Sequence, residues 1–277
     1  MKQYTYIICW SKLNTHSGGQ IVLYSLCHFL NSIGEKSYMS GGNFPNALNL
    51  NCPIKPKELN PLSDNVIVVY PEITNGNPLG AKNVARWMLY PIGINGGNPN
   101  THNKYDLIIG WGKECSGGGY IINEDNSIII KHIMSNIYKN LNLSPRNQTC
   151  YMIRKGRKWG QSFDQHPQDS ICIDGKSHQE ISDIFNDCHT FYCYDPHTYY
   201  STYASMCGCD SIVVPPKTLP KEDWKNSIED TYGIAYGIDD LERARKTRPL
   251  MLEYIKNQYN SNIENTCKFV KLCESHF

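Results

Sequence analysis

The chain has 277 residues, which is long enough to bury the cores of two small α/β domains. Its 27 Lys and Arg residues are balanced by 26 Asp and Glu residues, and the net charge is +1. A chain with so little net charge has no field that would attract nucleic acid or an anionic membrane surface. We recognise no signal peptide and no apolar run of spanning length, so we expect a soluble, cytoplasmic protein without an integral membrane segment.

The chain contains twelve cysteines. Cys9, Cys172 and Cys193 fall in predicted strands, where a free thiol behaves as a small buried hydrophobe. There is no C-x-x-C pair, and Cys207-x-Cys209 has no second pair at the spacing of a zinc site. We therefore expect structural free thiols rather than disulfides or a metal site.

The N-terminal part reads as strand, helix and strand. Residues 4–10 predict the first strand, residues 21–30 have apolar side chains at helical spacing, and residues 36–40 begin the second strand. The loop before the helix contains His16, Gly18 and Gly19. Glycines at this place allow the backbone to approach a ligand closely at a helix start. A tight strand-to-helix turn with a solvated histidine is the alternative.

A strongly apolar run at residues 65–70 predicts a central parallel strand, and Glu72 follows its end. A carboxylate at the carboxyl end of such a strand is well placed to face a cleft, so Glu72 is a candidate for orienting a bound hydroxyl group. The alternative is an ordinary charge at a helix N-terminus. Residues 81–89 predict a short amphipathic helix, and residues 105–111 a further strand.

The polar segment 140–147 predicts the boundary between a first domain, residues 1–145, and a second, residues 146–277. A new strand at residues 149–153 runs into the basic sequence R-K-G-R-K. The cations Arg154, Lys155 and Lys158, next to a glycine, suit a diphosphate, because arginine can bind its oxygens bidentately and lysine supplies a point charge. A solvated basic turn is the alternative.

The segment that says most about function is TFYCYDPHTYYSTYASMCGCDSIVVP, residues 190–215. Residues 190–194 predict a short buried strand, Asp195 is a good N-cap, and Pro196 suits the first position of a helix that should run to about Met206. The free N–H groups of a helix start attract anions, so Asp195, Pro196, His197 and Thr198 are candidates for lining a phosphate site. An ordinary capped helix is the alternative.

This segment resembles the donor-binding motif of GT-B nucleotide-sugar glycosyltransferases, particularly the retaining families with an acidic-x7-acidic pattern. Ala204-Ser205-Met206-Cys207-Gly208 matches the A-x-x-C-G helix end of that motif, which puts Asp195 on the first acidic position and Tyr203 on the second. The run Y-P-E-I…N-P-L-G-A-K-N-V-A-R-W-x-L-Y-P, residues 70–91, resembles bacterial and viral polysaccharide glycosyltransferases. The resemblance extends over nearly the whole chain, but only residues 181–215 are specific.

The resemblance implies a fold of two Rossmann-like, doubly wound α/β domains that face a cleft, with a C-terminal helix that returns to the first domain. It implies transfer of a hexosyl or pentosyl unit from a nucleotide diphosphate sugar to a carbohydrate acceptor, with retention and without a metal cofactor, in glycan biosynthesis. The location would be cytoplasmic, or host cytoplasm for a viral protein. Asp195 would hold donor sugar hydroxyls, Thr198 the phosphates, and Tyr203 the ribose.

Two other functions fit the same residues. A nucleotide-sugar epimerase on the same fold would keep the diphosphate features but should place more ionisable groups around the sugar. A non-catalytic sugar-binding or nucleotide-binding module would keep the fold alone, since one fold serves many functions.

Overall fold

The computed structural model describes residues 3–10, 13–41, 48–225 and 227–277. The chain divides into two units. Unit 1 comprises Met1–His132 and Gln258–Phe277, and unit 2 comprises Ile133–Asn257. The division therefore differs from the one expected at residues 145 and 146. The start of the predicted N-terminal loop, Ser11 and Lys12, lies outside the described residues.

The described residues form ten strands and four α-helices. The strands are β1 Thr5–Ile8, β2 Lys36–Met39, β3 Val66–Pro71, β4 Asn83–Met88, β5 Leu107–Gly110, β6 Gln148–Met152, β7 Ile171–Cys172, β8 Cys188–Cys193, β9 Asp210–Val213 and β10 Ile234–Tyr236. The helices are α1 Gly18–Ser32, α2 His178–Asp187, α3 Tyr200–Met206 and α4 Leu241–His276. None of the described helices is both long and apolar enough to cross a membrane.

Unit 1 contains a five-stranded parallel sheet in the order β2-β1-β3-β4-β5. Side chains of β1 alternate between its faces. Tyr6 on one face meets Phe269 of α4, with ring centroids 5.6 Å apart. Ile7 on the other face packs with Val68 and Tyr70 of β3. The end of α4 thus completes the core of unit 1. The family resemblance predicted this return of a C-terminal helix to the first domain.

Residues 81–89 are the clearest difference from the sequence prediction in unit 1. We expected a short helix, but Asn83–Met88 is a strand, paired in parallel with both β3 and β5. All six of its residues are buried, and Asn83 donates to the carbonyl oxygens of Asp64 and Val66, both at 3.0 Å. These contacts beyond the segment override the local pattern that suggested a helix.

Unit 2 contains a second five-stranded parallel sheet, in the order β10-β9-β8-β6-β7. Its α2 begins with a capping box, in which the Ser177 hydroxyl accepts from the Glu180 amide and the Glu180 carboxylate accepts from the Ser177 amide. Phe185 of α2 packs on Phe191 of β8, with ring centroids 5.0 Å apart. On the other face Ile212 of β9 packs with Ala244 of α4.

The two sheets have the same topology. Numbered within its own unit, each sheet has the strand order 2-1-3-4-5, which is one of the two common doubly wound orders. Two parallel, Rossmann-like α/β sheets were the expected fold class, and the structure confirms them. In such sheets ligands bind beyond the carboxyl ends of the strands, at the point where the chain changes its direction of progress across the sheet. In unit 2 that point lies between β6 and β8.

Candidate functional site

The loops after β6 and β8 meet at this switch point. The first contains Arg154 and Lys155 and the second contains Asp195, so the strand order alone makes these predicted residues neighbours. The loops pack so closely that a Cβ atom on Gly156 would lie 2.5 Å from the carbonyl oxygen of Tyr194. Only glycine fits at residue 156, and its presence brings the basic loop against the end of β8.

The carboxylate of Asp174 holds the turn after β6. This residue follows β7 and accepts hydrogen bonds from the amides of Ile153, at 3.3 Å, and Arg154, at 3.0 Å. Arg154 has φ +38°, a conformation that is costly for a residue with a Cβ atom. Asp174 was not among the predicted site residues, and its role depends on the pairing of β6 with β7.

Asp195 is a buried carboxylate surrounded by cations. Its residue is 4% exposed, and its Oδ1 accepts from the amide of His197 at 3.3 Å. Burial raises the pKa of Asp195, and this effect is opposed by the His197 amide and by the charges of Lys155, Arg154 and Lys225. Of these cations, Lys225 was not predicted, because it follows a polar segment far along the chain.

The predicted start of the helix at Pro196 was wrong. The helix begins at Tyr200, four residues after Pro196, and is only seven residues long. In a helix starting at Pro196 its carbonyl would accept the Tyr200 amide. Instead, the Pro196 carbonyl accepts from Nε1 of Trp224 at 2.7 Å, and the Tyr200 amide donates to Oγ1 of Thr198 at 3.4 Å. Asp195, Pro196, His197 and Thr198 thus form a turn before α3.

The side chains around this turn are aromatic as well as basic. The guanidinium carbon of Arg154 lies 5.4 Å from the ring centroid of Tyr200, and the rings of Trp159 and His197 are 5.6 Å apart. Burial, with Lys225 and Lys155, lowers the pKa of His197 to about 4, so its imidazole is neutral at pH 7. Lys158 is exposed at the end of the 3-10 helix that follows β6.

Tyr203 does not belong to this site. It is 3% exposed and its ring is stacked on that of Tyr138, with centroids 4.1 Å apart. Burial raises its pKa, and its hydroxyl bonds to the backbone of Met134. The residue that matches the second acidic position is therefore a core residue, packed away from the turn that contains Asp195.

A small cavity of about 250 Å³ lies at the same edge of the unit 2 sheet, beyond β9 and β10. It is lined by Gln165, Tyr192, Ile212, Val214, Pro215, Gly237 and Ile238. The backbone amide of Gln165 donates to the hydroxyl of Tyr194 at 2.9 Å, and this bond links the cavity wall to the end of β8. This cavity could not be predicted from the sequence, since its walls come from four separate segments.

The remaining predicted residues lie in unit 1. Glu72 is 6% exposed, and its Oε2 accepts from the amide of Leu89 at 3.1 Å. Burial raises the pKa of Glu72, partly offset by this amide. Gly19 is close to Leu89, because a Cβ atom at residue 19 would lie 3.6 Å from Cδ1 of Leu89. Gly18 starts α1, and His16 before it is exposed.

Among the described residues, no group of three or more His, Cys, Asp or Glu side chains is placed to hold a metal ion. The residues that the structure gathers at the switch point instead present positive charge, around one buried carboxylate. The cations of such an arrangement can bind an anion, and its carboxylate can bind hydroxyl groups.

Comparisons with known proteins found similarity only among solved structures. No family model and no curated protein matches the chain. Over 99% of this chain and 98% of the other, it is similar to a crystal structure of T4 phage BGT in complex with its UDP-glucose substrate, with 12% identity and a TM-score of 0.42. It is also similar, over the same shares, to T4 phage beta-glucosyltransferase in a study of substrate binding and proposed catalytic mechanism, with 9% identity and a TM-score of 0.39.

Proposed function

We propose that this protein is a glycosyltransferase that moves a sugar from a nucleotide diphosphate sugar to a hydroxyl group of a carbohydrate acceptor. The observation that carries the proposal is the buried carboxylate of Asp195, set among Arg154, Lys155 and Lys225 at the switch point of a parallel sheet. In keeping with the family resemblance of the sequence, we propose that the transfer retains the anomeric configuration and needs no metal.

In this proposal the basic loop binds the diphosphate. A departing nucleoside diphosphate carries growing negative charge, and fixed cations stabilise that charge in the transition state. Arg154 can bind two phosphate oxygens at once, and Lys155 supplies a second positive charge. The bonds from Asp174 hold the turn in place before the donor arrives, so little reorganisation is needed.

Asp195 is proposed to bind hydroxyl groups of the donor sugar. A carboxylate can accept several hydrogen bonds from vicinal hydroxyls, and those bonds are strong where water is excluded. The nearby cavity of about 250 Å³ has apolar walls suited to the flat face of a base. Phosphate, sugar and base would thus all bind along one edge of unit 2.

In unit 1, Glu72 and His16 are proposed to act on the acceptor. Glu72 is buried and its pKa is raised, which makes its carboxylate a stronger proton acceptor than an exposed one. The exposed His16 can hydrogen-bond an acceptor hydroxyl. In the transfer, the bond between the anomeric carbon and the phosphate oxygen breaks and its electron pair leaves with the nucleoside diphosphate, a bond to the acceptor oxygen forms, and the acceptor hydroxyl gives its proton to the Glu72 carboxylate.

The test is a thermal-shift screen of nucleoside diphosphates and nucleotide sugars, with and without EDTA, on the wild type and on Asp195→Asn. A ligand at one hundred times its dissociation constant stabilises the native state by about 2.7 kcal/mol. We expect one nucleotide family to raise the melting temperature, the sugar-bearing form to raise it further, and Asp195→Asn to abolish that further increase. EDTA should have no effect.

The matched control is Asp187→Asn, which removes an exposed carboxylate at the end of α2. It should keep the full response to the nucleotide sugar. If no nucleotide stabilises the wild type at millimolar concentration, the proposed function is wrong. If nucleotides bind but Asp195→Asn responds to the sugar-bearing form as the wild type does, Asp195 does not hold the sugar.

A further inference from the structure

In the part of the chain that the structure describes, loops cover one face of the unit 1 sheet. Its Tyr6 face packs on the end of α4. The opposite face, which carries Val84 and Arg86 of β4, is covered by Leu59 from the crossover between β2 and β3 and by the crossovers from β3 to β4 and from β4 to β5. In the described structure neither of the last two crossovers contains an α-helix. Loops fill such a face incompletely, and a cavity of about 400 Å³ lies over β4.

The walls of this cavity are mostly polar. Arg86 and Asp106 form its floor, and Asn77, Thr101, His102, Asn103 and Tyr105 are among the residues around them. Its volume lies within the range of small-molecule sites. Most such sites are apolar with a few polar groups, whereas here hydrogen-bonding groups predominate. The lining therefore suits a ligand covered with hydroxyl groups.

The charges of the cavity are paired within the protein. The guanidinium of Arg86 is 1% exposed, and its Nε donates to Oδ2 of Asp106 at 2.8 Å. Its Nη1 also donates to the carbonyl of Thr74 at 3.0 Å, and Lys82 pairs with Asp64 at 2.7 Å. Burial, with the charge of Arg86, lowers the pKa of His102 and so favours its neutral form. A charged ligand would have no unpaired partner among these groups.

An exposed aromatic ring lies at the rim. Tyr105 is 70% exposed, and the Nζ of Lys104 lies 4.8 Å from the centroid of its ring. A tyrosine ring offers an apolar face and a polar hydroxyl, and a sugar ring offers C–H groups on its face and hydroxyls at its edge. We propose that the cavity over β4 is a saccharide-binding site for a neutral sugar, with Tyr105 packing on the ring of the sugar.

This site is separate from the proposed donor site, because all its residues lie in unit 1 and none is at the switch point of unit 2. It also differs from the Glu72 region, since its residues Lys82 and Asp106 lie just before β4 and β5 whereas Glu72 follows β3. The inference does not rest on the proposed transfer reaction. A binding module without activity could use the same cavity.

The experiment is saturation-transfer difference NMR with millimolar lactose, maltose and cellobiose, and with glucuronate as an anionic comparison. The variants are Tyr105→Ala and the matched Tyr259→Ala, which removes another exposed tyrosine of unit 1, 55% exposed. We expect at least one neutral disaccharide to bind the wild type, and Tyr105→Ala to weaken it about fivefold. Tyr259→Ala and Asp195→Asn should bind it as the wild type does.

Three results would overturn the inference. The first is that no neutral disaccharide gives a signal with the wild type. The second is a signal that Tyr105→Ala retains in full or that Asp195→Asn loses, which would assign the sugar to another site. The third is stronger binding of glucuronate than of every neutral sugar. None of these results depends on whether nucleotides stabilise the protein, so failure here is distinct from failure of the proposed function.

Discussion

Replacing Gly156 with alanine tests the packing of the two loops at the unit 2 switch point. A Cβ atom there would lie 2.5 Å from the carbonyl oxygen of Tyr194 and 2.8 Å from its carbonyl carbon. Ordinary contact begins at 3.4 Å, so the loops must separate by about 0.9 Å, which is 3.4 minus 2.5. The obstructing atoms belong to the backbone and cannot rotate aside.

The cost of such overpacking is about 1–3 kcal/mol. The melting temperature should fall by about 2–4 °C for each kcal/mol lost. Separation of the loops also moves Arg154 and Lys155 away from Asp195. Because a displacement of about 1 Å at a binding site can have a large effect, we expect a nucleoside diphosphate that binds the wild type to bind the variant about tenfold more weakly.

The assay is the melting temperature with and without the nucleotide that stabilises the wild type. The control is Gly41→Ala, since a Cβ atom at Gly41 meets no atom of the described residues within 4 Å and its φ is not in the left-handed region. Gly41→Ala should match the wild type in both measurements. If Gly156→Ala also melts and binds like the wild type, then the close approach of the two loops does not exist in solution.

Three further substitutions have expected outcomes. The pKa of Asp195 is higher in the native state than in the unfolded state, so the free energy of unfolding falls as the pH rises from about 3.9 through the native-state pKa. Asp195→Asn should remove this fall from melting curves measured against pH, and the variant should melt at a higher temperature than the wild type at pH 7. Arg86→Met leaves the buried Asp106 unpaired and should cost about 3–5 kcal/mol in urea unfolding, part of which Arg86→Met/Asp106→Leu should recover. Tyr203→Phe should lower the free energy of unfolding by about 1 kcal/mol and leave nucleotide binding unchanged, and weaker nucleotide binding would indicate that Tyr203 contacts the ribose.

The sequence predicted the site residues that follow a strand directly. Arg154, Lys155 and Asp195 come immediately after apolar runs, and parallel strands bring their carboxyl ends to one edge, so their proximity could be predicted. Their partners could not. Asp174 and Lys225 reach the same place through strand pairing and a long polar segment, and neither leaves a local pattern.

The errors have a common physical origin. Residues 81–89 have a helical apolar pattern, but the buried bonds of Asn83 and the ion pair of Arg86 with Asp106 fix β4 as a strand. Asp195 and Pro196 are typical of a helix start, but Trp224 takes the carbonyl that the first helical turn would need. In each case a side chain distant in the sequence decides a local conformation.

The single helix α4 has a consequence for the order in which the protein is made. Its first part belongs to unit 2 and the part from Gln258 onward belongs to unit 1, where Phe269 lies against Tyr6. On the ribosome, all of unit 2 is therefore synthesised before the last piece of the unit 1 core emerges. Until then, Tyr6 lacks its contact with Phe269. A fragment ending at His132 should therefore leave this apolar surface exposed and should aggregate.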